Sequence, residues 1–191
     1  MSSRAGYVLV GGRSRRMGSD KALLRYRGAT LVETVAEALS QSVGRPLLVG
    51  NRDRYDGLGY EVIPDLYPGE GPLGGVLTAL HNSSAEWNLI VACDMPGLTG
   101  GFLGALMGAA EGRDCEVLAP VGPDGNIEPL CAVYRQSARP ALQRAFDRGV
   151  RQMKTALEEA RVVTHFVPEL AHFQNVNTPG DRKSTRLNSS H

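Results

Sequence analysis

The feature that most constrains this chain is an alternation. Short apolar runs recur along it, separated by longer segments whose apolar residues fall at helical spacing. "YVLV", residues 7–10, reads as a buried strand ending in Gly11-Gly12, and "LIVAC", residues 89–93 and the most apolar run, reads as a central strand. Leu47–Val49, "YEVIPD" as far as Pro64, "EVLAP", "PLCAVY" and "RVVTHFV" complete the series of strands. Thr30 opens a helix over Leu31–Leu39, because "TLVE" sets a hydroxyl at the N-cap and Glu33 three residues on, a capping box. "GPLGGVLTAL" carries Leu73, Val76, Leu77 and Leu80 on one helical face, and Thr99 opens a helix with Leu103, Leu106, Met107 and Ala110 in the same pattern. Residues 138–160 read as mostly helical, broken near Gly149. Helical crossovers between strands bring those strands parallel and cover both faces of their sheet. The expectation from the pattern is a single α/β domain over residues 1–181 with a parallel sheet covered on both faces.

Charge and cysteine usage narrow the function. The formal net charge is +1, so no global basic field attracts nucleic acid or an anionic membrane. Cys93, Cys115 and Cys131 show no C-x-x-C spacing, which argues against a disulfide framework or a zinc site and fits a reducing cytoplasm. No apolar stretch approaches the length of a membrane span, and the N-terminal run is too short for a signal-peptide core. Residues 182–191, "RKSTRLNSSH", carry a single apolar residue and are expected to be a disordered or extraneous tail.

Against that near-neutral background, "YVLVGGRSRRMGSDKALL", residues 7–24, concentrates three glycines and four cations behind the first strand. Glycines let backbone N–H groups approach phosphate oxygens, and the cations neutralise their charge. The loop is not G-x-x-x-x-G-K-[ST], because five residues separate Gly12 from Gly18 and Lys21 follows three positions later. A small anionic ligand is implied. "GEGPLG", residues 69–74, matches a dinucleotide fingerprint in letters alone: it does not directly follow a strand, and Pro72 sits inside it. It reads as a tight loop into a helix N-terminus, able to help bind a nucleotide. Asp94 directly follows the most apolar run, at the carboxyl end of a central strand, where open α/β sheets bind ligands. Its carboxylate suits Mg²⁺ carrying nucleotide phosphates, although a turn aspartate before Pro96 has the same sequence signature. Asp65, after Pro64, ends a strand the same way and is either a turn residue or part of the same crevice. The four histidines make no ligand spacing, and G-x-S-x-G is missing, so hydrolase chemistry is not indicated.

Five stretches in order, "LVGGRSRRMGSDK", "GEGPLGG", "CDMP", "EPLCAVYR" and "FQNVNTP", resemble the signature of the molybdenum cofactor guanylyltransferases, the MobA-like nucleotidyltransferases. The resemblance spans about residues 5–181. Sugar-phosphate nucleotidyltransferases share the early glycines but usually carry a further glycine where Arg13-Ser14 stand and Pro-Lys where Asp20-Lys21 stand. One departure from the family is Val10, where an alanine is common; it should tighten packing near the nucleotide.

The resemblance implies a single three-layer α/β/α domain with a mostly parallel sheet, a Rossmann-like nucleotidyltransferase fold. It also implies transfer of GMP from Mg-GTP to the terminal phosphate of molybdopterin, with pyrophosphate leaving. By matching position, Leu9, Val10, Gly11, Lys21, Asn51, Asp65 and Asp94 would bind the nucleotide. Lys21 and Asp94 would carry the catalytic role, and Asp94 the Mg²⁺. Arg16, Asn175 and Asn177 match positions on the acceptor side. The implied partners are GTP and molybdopterin as substrates, with transient partners in cofactor delivery and a monomeric enzyme. The alternatives are a relative using CTP or another phosphorylated acceptor, and a nucleotide-binding regulator that does not transfer.

Overall fold

A computed structural model of the chain describes residues 3–11 and 20–175. Its frame is a sheet of seven strands among the described residues, in the order β5-β4-β1-β6-β8-β7-β9. The strands are β1 (Arg4–Leu9), β4 (Leu47–Val49), β5 (Val62–Ile63), β6 (Trp87–Ala92), β7 (Val117–Val121), β8 (Cys131–Arg135) and β9 (Val162–Phe166). A separate two-stranded hairpin, β2 (Arg25–Tyr26) with β3 (Ala29–Thr30), precedes the first helix. The helices are α1 (Leu31–Val43), the single turn α2 (Arg52–Tyr55), α3 (Pro72–Asn82), α4 (Gly100–Glu111), α5 (Arg139–Asp147) and α6 (Met153–Leu157).

The pleat sorts the core into two layers. Val8, Leu89, Val91, Leu118 and Val133 face α1 and α4, whose Val32, Val35, Leu39, Leu103 and Leu106 complete one cluster. The intervening residues, Tyr7, Leu9, Ile90, Val117, Ala119 and Tyr134, face α3, α5 and α6 and pack with Leu73, Val76, Leu77, Leu80, Leu142 and Phe146. This is period-two alternation with both faces buried, as a sheet covered by crossover helices requires.

β1 pairs in parallel with β4 and β6, and β5 in parallel with β4. β8 runs antiparallel to both β6 and β7. The reason is the β7–β8 connection: residues 122–130 contain no helix, and a short connection returns the chain beside the strand it left. The sheet is therefore mostly parallel with one reversed strand. Most expected boundaries hold within three residues; α1 runs on to Val43 and stops at Gly44, whose φ of 78° is left-handed. The Thr30 capping box forms as anticipated, with Glu33 N–H donating to the Thr30 hydroxyl oxygen and Thr30 N–H donating to the Glu33 carboxylate.

Candidate active site

Because β5, β4, β1 and β6 are parallel neighbours, the residues that follow them line one edge of the sheet. Asp65 follows β5, Asn51 follows β4, Val10 and Gly11 follow β1, and Asp94 follows β6. Residues scattered over 85 positions of sequence become neighbours in the order of the strands. With about 4.8 Å between strands, the three spacings from β5 to β6 span about 14 Å of edge, on the scale of a nucleotide. The α3 N-terminus opens at the same edge: Gly69 and Gly71 take φ of 83° and 85°, and Pro72 occupies the first turn.

Lys21 and Asp94 meet. Lys21 Nζ donates to Asp94 Oδ2 at 2.7 Å, with both side chains only about one-fifth exposed. The lysine rides on a short 3₁₀ turn, Lys21–Leu23, that Asp20 caps by accepting from Ala22 N–H. Asp94 Oδ1 has no partner among the described residues, so one hard oxygen remains to meet a cation. No cluster of three or more His, Cys, Asp or Glu side chains suited to a metal occurs among the described residues. A single carboxylate fits a cation that arrives carrying its other ligands as phosphate oxygens and water, as Mg²⁺ usually does. It does not fit a dedicated protein cage. Cys93 adjoins this pair, and burial together with the Asp94 charge pushes its thiol up to about 12, so it is no nucleophile at neutral pH.

The first-strand residues differ in what they leave open. Leu9 O already accepts from Cys93 N–H, and the Leu9 side chain lies under α3. Val10 N–H donates to Val49 O, and its side chain is buried. A Cβ on Gly50 would come within 2.8 Å of Val10 Cγ2, so the larger residue at position 10 is accommodated by glycine at position 50. Gly11 is exposed, and its backbone has no partner among the described residues.

Asn51 caps α2 by accepting from Asp53 N–H at 2.9 Å. Asp65 does take the turn role: Oδ1 accepts from Tyr67 N–H at 2.9 Å and from the Thr78 hydroxyl at 3.0 Å. Its Oδ2 has no partner among the described residues, so the turn role leaves one carboxylate oxygen open. Asn175 is exposed and follows the turn Leu170–Phe173, which docks on the loop after Asp94. There His172 Nδ1–H donates to Gly97 O at 2.9 Å, and the His172 ring stacks on Phe102 with centroids 4.3 Å apart. The acceptor candidates Arg16 and Asn177, and Gly12 and Gly18 of the loop, lie outside the described residues.

Two features escaped the sequence reading. Glu128 reaches the same edge because Cys131 pairs with Val91 and Ala92 N–H donates to Leu130 O, which brings residues 128–130 beside 92–94. It is half-buried and has no side-chain partner among the described residues; burial, then the charges of Asp124 and Asp94, raise its carboxyl above the usual range. The second is a bond from the Tyr55 hydroxyl to Asp20 Oδ2 at 2.6 Å. Only the antiparallel placement of β8 could reveal the first, and only the packing of α2 the second.

The MobA-like NTP transferase domain family matches residues 6–163 of this chain. A molybdenum cofactor guanylyltransferase of Xanthomonas euvesicatoria pv. vesicatoria is 37% identical, over 91% of this chain and 89% of that protein. A probable molybdenum cofactor guanylyltransferase of Clostridium perfringens is 30% identical, over 93% of each. Among solved structures, the molybdopterin-guanine dinucleotide biosynthesis protein A of Archaeoglobus fulgidus superposes with a TM-score of 0.81 at 32% identity, covering 96% of this chain and 97% of that one.

Proposed function

Because the chain belongs to the MobA-like NTP transferase family, we propose that it transfers GMP from GTP to the terminal phosphate of molybdopterin, forming the guanine dinucleotide cofactor. The chain is a nucleotidyltransferase, and its family generally works with a divalent metal. The specific ion in this reading is Mg²⁺. An oxygen of the acceptor phosphate forms the new bond to the α-phosphorus of GTP. The bond from that phosphorus to the bridging β-oxygen breaks, and pyrophosphate leaves with the electron pair. An ionised phosphate is already a nucleophile, so no general base is required, and a site without a reactive cysteine or histidine pair suffices.

The observation that carries the reading is the Lys21–Asp94 pair at the carboxyl edge of the central strand. Bound at Asp94, Mg²⁺ would supply charge neutralisation for the triphosphate. Lys21 presents an ammonium beside it, where negative charge grows on the phosphoryl oxygens. Gly11 offers backbone to the phosphates, and Asn51 and Asp65 lie farther along the edge toward the base. Leu9 and Val10 anchor the end of β1, with their side chains in the two core layers. Asn175, with Arg16 and Asn177, is assigned to the acceptor side. The enzyme on this reading is a cytoplasmic monomer that hands its product to transient delivery partners; none of its described helices is long and apolar enough to cross a membrane.

Base choice tests it. Guanine presents N1–H and N2–H₂ together, a donor pair that a carboxylate such as Asp65 accepts and that cytosine and adenine lack. Leaving that acceptor unpaired costs about 1–3 kcal/mol, so purified protein with Mg²⁺ and molybdopterin should release pyrophosphate at least about tenfold faster from GTP than from CTP or ATP. Faster release from CTP would move the assignment to a cytidylyltransferase. No release with any nucleotide, from protein that binds GTP, would identify a regulator.

A further inference from the structure

Asp20 directly precedes Lys21, and both oxygens of its partly buried carboxylate are engaged. Oδ1 accepts from Ala22 N–H at 3.1 Å and so caps the turn that carries Lys21. Oδ2 accepts from the Tyr55 hydroxyl at 2.6 Å, and Arg54 Nη1 approaches the same oxygen at 3.6 Å. The turn is further closed by Leu23 N–H to Asp20 O and Leu24 N–H to Lys21 O, each 3.1 Å.

Tyr55 is itself immobilised. It is 2% exposed, packs in the layer under α1 and α4, and its ring lies against Gly50 at the end of β4. It is the last residue of α2, the turn whose N-cap is Asn51. A continuous chain of bonds thus runs from the Asn51 turn through Tyr55 and Asp20 to the turn bearing Lys21, which meets Asp94.

We propose that Asp20 and the Tyr55 hydroxyl are positioning residues for Lys21, holding its turn at a set distance from the Asn51 segment so that the phosphate end and the nucleoside end of one nucleotide are gripped together. This rests on the nucleotidyltransferase reading of the site. Neither residue touches substrate; both act through the lysine. A lysine side chain turns about four bonds, so the contact of its ammonium with Asp94 leaves its anchor to be placed by the turn that carries it. Fixing the anchor narrows the space the ammonium must search, and misplacement of a charge-stabilising group by about 1 Å costs on the order of a hundredfold in rate. A partial loosening, as removal of one bond produces, should cost about tenfold.

The test is a double-mutant cycle in the full chain. Tyr55→Phe removes only the hydroxyl, Asp20→Ala removes both acceptor bonds, and Asp20→Asn keeps an oxygen for the cap and an amide that can donate to the tyrosine oxygen. Each is made alone and with Lys21→Ala, and kcat, KM for GTP, the dissociation constant of Mg·GTP and the melting temperature are measured. Tyr55→Phe should lower kcat about tenfold and Asp20→Ala, which removes both bonds, by more than that, toward about a hundredfold, while Asp20→Asn recovers to within about threefold of the native rate. In the Lys21→Ala background the Tyr55 and Asp20 substitutions should have no further effect on kcat, because the group they position is gone. Losses that multiply with Lys21→Ala, or a lowered melting temperature with kcat unchanged, overturn the proposal. If the native chain binds Mg·GTP but transfers nothing to molybdopterin, the function reading fails alone. The same cycle is then read on the dissociation constant, where non-additivity supports the positioning role and additivity overturns it. A native chain that binds no nucleotide overturns both.

Discussion

Asp94→Asn separates charge from shape at the centre of the site. The amide has the size of the carboxylate and keeps an oxygen within reach of Lys21 Nζ, which the native Oδ2 meets at 2.7 Å. The side chains are 21% and 22% exposed, between the surface and buried regimes of ion pairing. Surface pairs contribute about 0–1 kcal/mol and breaking a buried pair costs about 3–5, so a pair reduced to a neutral acceptor here should cost about 1–2 kcal/mol. For a domain of this size that lowers the melting temperature by roughly 2–8 °C. The catalytic effect is larger. At an effective dielectric of about 20, a unit charge about 4 Å from a divalent cation interacts by about 8 kcal/mol. Desolvation cancels part of this, and loss of one preorganised charge-stabilising group typically leaves a deficit of about 3–4 kcal/mol, or a hundredfold to a thousandfold in rate. Pyrophosphate release from GTP and molybdopterin, titrated with Mg²⁺, should show that loss together with a cooperative melt lowered by no more than about 8 °C. Turnover close to native at low Mg²⁺ would refute the reasoning and remove Asp94 from the metal site.

Lys21→Ala should lower kcat more than it raises KM for GTP if its ammonium meets charge that grows in the transition state; a change in KM alone would make the lysine a simple anchor. Gly97→Ala should destabilise the docked C-terminal turn, since a Cβ there would run into the Ala171 carbonyl oxygen, and protease sensitivity near residues 168–175 should rise with a melting temperature lower by a few degrees. Glu128 has a folded pKa raised above its unfolded value, so the native state holds the proton longer; stability should fall as pH rises from the ordinary glutamate range through that raised value. Glu128→Gln should remove this slope in denaturant melts across that window, and an unchanged slope would assign it to other carboxylates.

Much of this molecule is written locally. The capping box at Thr30, Pro72 in the first turn of α3 and the Thr99 cap act within four residues, so helix starts are readable one at a time. The apolar runs that became β1 and β6 are likewise local, because two-sided burial demands near-continuous hydrophobicity. That Asp94 ends such a run was enough to set it at the carboxyl edge. β8 was harder, since "PLCAVY" carries no mark of direction; its reversal follows from the helix-free connection before it.

What sequence alone determined is therefore the longer elements, though not the β2–β3 hairpin or α2, and the end of each strand at which chemistry can gather. Tertiary structure alone decided which ends became neighbours. The order β5-β4-β1-β6 ranks Asp65, Asn51, Gly11 and Asp94 along one edge, and no local interaction encodes that order. Lys21 meets Asp94 across 73 positions, and Tyr55 meets Asp20 across 35, through side chains whose own neighbours in the chain are indifferent to the contact. Helix caps and apolar runs save free energy within a few residues and so leave a local signature. Contacts of this kind form only after the layers have packed, when the same free energy depends on strand order and helix placement, quantities that belong to the whole chain at once.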